Sequence, residues 1–441
     1  MKRGSLFSLD IPILVSVILL VVIGILFIYS SNTDADGTIK KDEFVRQIFW
    51  AVLGLVLLFV FSFLNYLHLR DYALVIYLVL LGGLVVTLLV NLVINPDSRR
   101  PSSWLGIGGI GIQPSEFAKL ATILFLGSYL SRTGARIREL PYFLLAFLIC
   151  LAPMVLILLQ PDMGTALVFI PILVAMTWMA GTKRRYIVFL LLTGLFMIFF
   201  SIQPELSKYF HLFALPFFKI MSVTNYLLIA AGVVFLIGLL AALGYYIFRE
   251  PYYYWIMYGA GVAVLSSLGG LIGRKLLAGY QVMRLIIFLD PYIDRKGEGY
   301  NIIQSITAVG SGGLFGRGFR NGTMSQLKYV PVQSNDFIFS IIAEEWGFIG
   351  GLLVFGLFVI LLYRSLRILK NTSDSYAQYV GVGIIGMIFY HCVINIGMNM
   401  GLMPITGIPL FFVSYGGSAL LTGLMSVGII LNIYFRRYAS S

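Results

Sequence analysis

Residues 11–30 read IPILVSVILLVVIGILFIYS, a run without a single charge. A helix that crosses a bilayer needs about 20 such residues. Similar blocks recur along the chain, which is 59% hydrophobic and only 11% charged, whereas soluble domains are about a quarter charged. Because backbone groups in lipid must be satisfied internally, these blocks are predicted to be helices. The sequence therefore predicts an all-α polytopic integral membrane protein.

Twelve blocks are candidate membrane spans. Their approximate limits are 11–30, 47–66, 72–95, 114–131, 141–159, 163–181, 186–204, 225–248, 253–273, 337–362, 376–400 and 410–435. We expect the first block to be retained as a helix rather than removed as a signal peptide. It is longer than a usual signal core and is followed by further spans.

Lysine and arginine cluster in alternate connections between these spans. The clusters are Lys2 and Arg3; Arg132, Arg136 and Arg138; Lys183, Arg184 and Arg185; Arg364, Arg367 and Lys370; and Arg436 and Arg437. Since basic residues are enriched in cytoplasmic connections, we predict that both termini are cytoplasmic. The net charge of +12 partly reflects this bias, so nucleic-acid binding is not needed to explain it.

Three segments then face outward: 95–113, 204–221 and 274–336. The third is the largest and is unusually basic for that side of the membrane. Its eight basic residues are Arg274, Lys275, Arg284, Arg295, Lys296, Arg317, Arg320 and Lys328, against the four acids Asp290, Asp294, Glu298 and Asp336. Long translocated loops tolerate such charges, and binding of an anion outside the cytoplasm would explain them.

The composition of segment 274–336 suits glycosyl transfer. A sugar hydroxyl becomes a good nucleophile only when a base removes its proton, and an aspartate can be that base. Arginine and lysine can hold a pyrophosphate leaving group, and the glycine run at 310–318 could add backbone N–H donors. The alternative interpretation is that Asp294 and the basic residues form surface ion pairs only.

Several elements of this segment resemble the large extracellular loop of the SEDS family (RodA/FtsW/SpoVE) of peptidoglycan glycosyltransferases. The matching stretches are YQVMR at 280–284, FLDP at 288–291, the D–G–GY–QS pattern from Asp294 to Ser305, the glycine run, and DFIF–EE–G from Asp336 to Gly347. The resemblance implies that Asp294, with Gly297, Gly299 and Tyr300 in register, is the catalytic base. Asp290, in the FLDP element, is expected to cap or orient the loop.

Further elements elsewhere in the chain resemble the same family. They are Trp104 with QPSE at 113–116 and Lys119, QPD at 160–162 with Gly164 and Thr165, residues 395–398, MPITGIPL at 403–410, and SYGGS at 414–418. The P-x-T-G-I-P form is RodA-like rather than FtsW-like. Phe411 departs from the family, which commonly has proline there.

The resemblance implies one SEDS membrane domain over 1–441. The family usually has ten spans, so residues 205–273 are predicted to add an inserted helical pair, and 274–336 to be the large extracytoplasmic catalytic loop. The candidate substrate-binding residues are Arg284, Arg295, Lys296, Arg317, Arg320, Glu116, Lys119, Asp162, Gln304 and Ser305.

The charges inside predicted spans are expected to face the protein interior, since such charges are costly in lipid. Glu116 and Lys119 share a helix face and can pair. The resemblance implies that Glu116, Lys119 and Asp162 lie in the substrate cavity or support it. Of Glu344 and Glu345, we expect one to pack inward and the other to be structural.

The remaining polar candidates predict no metal centre. Cys150 and Cys392 lie in apolar blocks and are predicted to be buried. The three histidines, His68, His211 and His391, make no cluster, and each is expected to be a satisfied helix or interface residue.

The implied reaction is polymerisation of lipid II into glycan strands at the outer face of the bacterial cytoplasmic membrane, for cell elongation and shape. Undecaprenyl pyrophosphate would leave, and a divalent cation, Mg²⁺ or Mn²⁺, could assist. The implied partners are a class B penicillin-binding protein transpeptidase and other elongation-complex membrane proteins. The alternatives are a lipid II flippase, an FtsW-like division polymerase, and a membrane scaffold whose main work is binding.

Overall fold

The computed structural model describes residues 10–32, 43–94, 103–107, 110–210, 215, 218, 221–326 and 334–436. It divides into two compact units: residues 1–181 with 300–441, and residues 182–299.

The first unit is a helical bundle with one small hairpin. Its helices are α1 (Ile11–Asn32), α2 (Glu43–Phe63), α3 (Tyr66–Asp71), α4 (Ala73–Ile94), α5 (Pro114–Thr133), α6 (Leu140–Leu158), α7 (Met163–Leu167) and α8 (Phe169–Met179), and, after the second unit, α14 (Thr323–Gln326), α15 (Ile338–Lys370), α16 (Ser375–Asn399) and α17 (Gly417–Arg436). The hairpin pairs β1 (Leu105–Ile107) with β2 (Ile110–Ile112) in antiparallel register.

The second unit is built on three long helices. They are α9 (Arg184–Tyr209), α10 (Thr224–Phe248) and α11 (Pro251–Leu276), followed by α12 (Gly279–Leu289) and a 3₁₀ turn, Pro291–Asp294. Helix α13 (Glu298–Ser311) begins at the end of this unit. Arg274 fixes α11 by donating from Nε and both Nη atoms to the carbonyls of Phe200, Ser222 and Met221.

The predicted helical membrane architecture is confirmed. In the described part of the chain, ten helices are long and apolar enough to cross a membrane, and they match ten of the predicted spans. The other two predicted spans are helical as well: α5 carries the Glu116–Lys119 pair, and Met163–Met179 is shorter than a full span. A total of twelve spans and cytoplasmic termini stay predictions.

Two predicted boundaries are wrong. The sequence predicts that the last span begins at about residue 410. Helix α17 begins only at Gly417, because residues 410–416 form a turn. In that turn Leu410 N donates to Ser414 Oγ, and Tyr415 N donates to Ser334 O. The span expected to end near 362 continues to Lys370 as α15.

Helix α15 is broken at Gly347, whose φ is 67° and ψ is −161°. The glycine-rich segment 312–318 fills the break. Phe348 N donates to Gly313 O at 2.8 Å and Ile349 N to Leu314 O at 3.2 Å, while Glu344 O and Glu345 O accept from the backbone of segment 312–318. Backbone groups freed by a break in a buried helix need such partners. The described part of the predicted loop 274–336 is largely helical, through α12 and α13, where the sequence suggests turns.

Candidate active site

Asp294 stands at the N-terminus of α13. Its Oδ1 accepts a hydrogen bond from Gly297 N at 3.0 Å, and its Oδ2 accepts one from Glu298 N at 3.2 Å. Glu298 N is among the donors that the first turn of a helix leaves unsatisfied, and Gly297 N belongs to the turn just before α13. Asp294 remains partly exposed. Its carboxylate is therefore held by two hydrogen bonds and is still reachable from solvent.

Gly297 and Gly299 are explained by this cap. A Cβ on Gly297 would lie inside 3.0 Å of both side-chain oxygens of Asp294, and a Cβ on Gly299 would meet the carbonyls of Pro291 and Asp294 equally closely. Only glycine lets the chain wrap so tightly around the carboxylate. The D-x-x-G-x-G spacing is therefore a structural requirement of the cap.

Asp290 caps the preceding turn, as predicted. Its Oδ1 accepts from Tyr292 N at 2.9 Å, at the N-terminus of the 3₁₀ turn that ends in Asp294. The Asp290 carboxylate thus stabilises the turn that leads to Asp294.

Three of the predicted cationic residues lie in the same unit as Asp294. Arg284 pairs with Glu298, with Nη2 at 3.2 Å from Oε1, and its guanidinium lies over the Tyr280 ring. Arg295 lies over the ring of Tyr292 at 5.2 Å. Arg295 and Lys296 are exposed and directly follow Asp294 in sequence, so their charges are open to solvent.

Arg317 and Arg320 lie in the first unit, at the glycine-rich segment. Arg317 donates from Nε to Ser311 O at 3.2 Å and from Nη1 to Thr323 Oγ1 at 2.5 Å. The guanidinium of Arg320 lies over the Tyr29 ring, and its backbone has a positive φ of 62°. Both guanidinium groups thus contact the protein itself, and a phosphate-binding role for them stays a prediction. Lys328 lies outside the described residues.

Glu344 and Glu345 are both fully buried, so both pack inward. Glu344 accepts from Met324 N at 2.7 Å and Ser325 N at 3.0 Å. Glu345 accepts from the Ser30 hydroxyl at 2.6 Å and from Arg320 N at 2.9 Å. Adjacent residues can both be buried here because the segment after the glycine run folds over both carboxylates.

A cavity of about 630 Å³ opens in the first unit. Its lining residues come from α2, the hairpin and the residues just before it, the N-caps of α5 and α7, the segments before α15 and α17, and the first turn of α17. They are Trp50, Ser103, Trp104, Gly111, Gln113, Asp162, Asn335, Asp336, Gly407, Pro409, Tyr415, Gly416, Gly417 and Ala419. Aromatic faces beside carboxylates and amides suit a ligand with both apolar and hydroxyl-rich surfaces.

Asp162 is the predicted site residue that lines this cavity. Its Oδ2 accepts from Gln113 Nε2 at 2.9 Å. Its Oδ1 accepts from Thr165 N at 3.1 Å and so caps α7. Gln113 N in turn donates to Ser418 Oγ at 2.9 Å. The QPSE, QPD and SYGGS elements therefore meet at one wall.

Glu116 and Lys119 lie behind the cavity, not in its lining. They pair as predicted, with Lys119 Nζ at 2.7 Å from Glu116 Oε2, and both side chains are almost fully buried. Lys119 Nζ also lies 3.1 Å from His391 Nε2, and His391 Nδ1 lies 2.9 Å from Pro409 O. This pair is thus a support of the cavity, connected to its wall through His391.

Gln304 and Ser305 are on α13. Ser305 is fully buried and donates to Asn399 O at 2.9 Å, which makes it a packing contact between helices. Gln304 is half-buried.

The sequence had assigned no site role to several lining residues, among them Trp50, Gln113 and Asp336. Trp50 gave no signal because it sits within an apolar span. Gln113 and Asp336 were visible as polar residues at the ends of predicted outward segments, and that position could have identified them.

Cys150 and Cys392 are buried thiols, as predicted. His391 is a satisfied buried histidine, His68 is exposed, and His211 lies outside the described residues. Among the residues that the structure describes, no group of three or more His, Cys, Asp or Glu side chains could hold a metal ion.

Comparison with known proteins identifies the family. The cell cycle protein family FtsW/RodA/SpoVE matches residues 11–238 and 220–439. The peptidoglycan glycosyltransferase RodA of Treponema pallidum is 39% identical over 99% of this chain and 100% of its own length. Stage V sporulation protein E of Bacillus subtilis is 32% identical over 97% of each chain.

Solved structures show the same fold. A chain from a peptidoglycan synthase complex, described as coordinating polymerization and crosslinking, aligns with a TM-score of 0.61 and 25% identity over 98% of this chain and 99% of its own. RodA of Thermus thermophilus aligns with a TM-score of 0.59 and 22% identity over 99% of both chains. The chain is a multi-pass protein of the bacterial inner membrane, and it belongs to the FtsW/RodA/SpoVE family.

Proposed function

We propose that this protein is a peptidoglycan glycosyltransferase that polymerises lipid II into glycan strands at the outer face of the cytoplasmic membrane. The observation that carries the proposal is the partly exposed Asp294, whose carboxylate accepts from two backbone N–H groups and which two exposed cations follow in sequence. The full-length similarity to a RodA glycosyltransferase supports the same reaction and favours a role in cell elongation and shape.

Asp294 acts as the general base in this proposal. A carboxylate offers about four acceptor positions, and the two N–H groups occupy one on each oxygen, which leaves both oxygens able to accept a further proton. Asp294 removes the proton of the acceptor sugar hydroxyl as that oxygen attacks the anomeric carbon of the donor. The bond from that carbon to the pyrophosphate breaks, with inversion, and undecaprenyl pyrophosphate leaves.

The leaving pyrophosphate needs positive charge, because its oxygen gains a further negative charge as the bond to the anomeric carbon breaks. Arg295 and Lys296 are the candidates with exposed charge next to Asp294. A divalent cation, Mg²⁺ or Mn²⁺, would supply further charge. Since Mg²⁺ commonly binds through substrate phosphates, we propose that such a cation is held by the pyrophosphate.

The decisive experiment is polymerisation of purified lipid II by the purified protein in detergent, where no membrane is present and flipping cannot form strands. Asp294→Asn should abolish strand formation while the protein remains folded. Asp290→Asn, in the neighbouring cap, is the matched control and should keep activity. Polymerisation by Asp294→Asn at the wild-type rate would remove this assignment.

A lipid II flippase is the alternative, in which Glu116, Lys119 and Asp162 would line a path across the membrane. The side chains of Glu116 and Lys119 are buried against each other and His391, whereas Asp162 lines the cavity. Strand formation in detergent distinguishes the polymerase from the flippase.

A transpeptidase partner follows from the same proposal. One solved relative comes from a complex that coordinates polymerization and crosslinking, and glycan strands must be cross-linked to bear load. We therefore propose a class B penicillin-binding protein as partner, along with other elongation-complex membrane proteins. Co-purification with such a transpeptidase, and a higher polymerisation rate in its presence, would support this.

A further inference from the structure

One face of α16 carries three buried polar side chains, His391, Asn395 and Asn399. They are spaced four residues apart, which places them one above another on a helix. Each is costly to bury in an apolar bundle unless its hydrogen bonds are made. We call these three residues the α16 ladder.

The α16 ladder donates to backbone carbonyls of two of the segments that supply cavity-lining residues. Asn395 Nδ2 donates to Ile408 O at 2.8 Å and to Asp336 O at 3.0 Å. Asn399 Nδ2 donates to the same Asp336 carbonyl at 3.0 Å. Segment 407–409 and Asp336 both contribute to the cavity wall, so the ladder holds two of its edges in fixed relation.

His391 connects the α16 ladder to the charged side chain of Lys119. Lys119 is an ammonium and can only donate, so His391 Nε2, 3.1 Å from Nζ, must be the acceptor. The proton then sits on Nδ1, which donates to Pro409 O at 2.9 Å. The partners thus fix the histidine tautomer. The Phe411 ring stacks on the imidazole at 3.9 Å between centroids and holds its plane.

We infer that the α16 ladder positions the walls of the substrate cavity, and that His391 joins those walls to the buried Glu116–Lys119 pair. His391 is a positioning residue in this scheme: it acts on substrate binding through Lys119 and the Pro409 carbonyl. The inference rests on the proposed function, because the cavity ligand is taken to be the lipid-linked saccharide.

The test compares three substitutions of His391 in the full-length protein polymerising lipid II in detergent. His391→Leu removes both the acceptor and the donor, and it should raise KM roughly tenfold while kcat changes less than about threefold. His391→Gln keeps one acceptor and one donor, and it should restore a KM within about threefold of wild type. The exposed His68 provides the control His68→Leu, with wild-type constants.

Thermal unfolding and gel filtration establish that each variant is folded. If His391→Leu does not fold, His391→Asn replaces it, since its shorter amide cannot reach both partners, and KM should again rise. A wild-type KM in His391→Leu would overturn the inference, as would a wild-type KM in His391→Asn where that variant replaces it. The inference would also fail if the KM of His391→Gln were as high as that of His391→Leu. Absence of polymerisation by the wild-type protein itself would instead refute the proposed function.

Discussion

The α-carbon of Gly297 faces the carboxylate of Asp294 so closely that no side chain fits between them. The same glycine donates its N–H to Asp294 Oδ1 at 3.0 Å. The residue that makes room for the proposed base is thus also one of the two that hold it.

Gly297→Ala should therefore impair catalysis more than folding. The added methyl group must push the Asp294 carboxylate aside, and a displacement of about 1 Å at a reacting group can cost 10²-fold in rate. We expect kcat for lipid II polymerisation to fall by about that factor, with a melting temperature near that of wild type. Gly279→Ala is the control, because nothing lies within 4 Å of a Cβ there. Wild-type turnover in Gly297→Ala would contradict the assignment of Asp294.

Neutralising the exposed cations after Asp294 should weaken substrate binding. Arg295→Ala and Lys296→Ala each remove a charge that can donate to pyrophosphate, an interaction of about 1.5–3 kcal/mol. We expect KM for lipid II to rise roughly tenfold in each. Lys275, an exposed cation of the same unit, supplies the control Lys275→Ala. If this control weakened binding equally, the effect would be one of overall charge and not of a pyrophosphate site.

The sequence predicted the helices well because lipid forces long apolar segments into one secondary structure. The sequence predicted the helix boundaries and breaks less well, because there side chains and other segments satisfy the backbone groups. Residues 410–416 are apolar enough to continue a span, yet the Ser414 hydroxyl accepts from Leu410 N and stabilises a turn. The helix break at Gly347 is also invisible to local hydrophobicity. It is stabilised by backbone pairing with a segment about thirty residues earlier.

The site was predictable only in part, for a related reason. Asp294 and its glycines are local in sequence, so their pattern could be recognised. The contact of Lys119 with His391 spans 272 positions, and no local spacing predicts it. Burial of both Glu344 and Glu345 does not follow from helical periodicity, which assigns neighbours to different sides, because the segment that covers these two is supplied from 320–325.

Removing the Glu344 carboxylate should destabilise the fold. Glu344→Ala leaves the N–H groups of Met324 and Ser325 without their acceptor, and each buried unsatisfied donor costs about 1–3 kcal/mol. Glu344→Gln keeps one acceptor oxygen and should be milder. Thermal unfolding in detergent measures both, with the exposed Glu139→Ala as control. A wild-type melting temperature for Glu344→Ala would show that this carboxylate does not hold the segment.

The break in α15 predicts a large difference between two glycines of the same helix. Gly347 has a left-handed φ of 67°, and a Cβ there would collide with the backbone of Leu314 and Gly316. Strain of that kind alone costs about 1–3 kcal/mol, so Gly347→Ala should lower the melting temperature markedly. Gly356 is helical with open space around its Cβ position, and Gly356→Ala should leave stability unchanged or raise it slightly, because alanine favours helix. Equal stability of the two variants would mean that α15 is continuous in the membrane and that the glycine-rich segment pairs elsewhere.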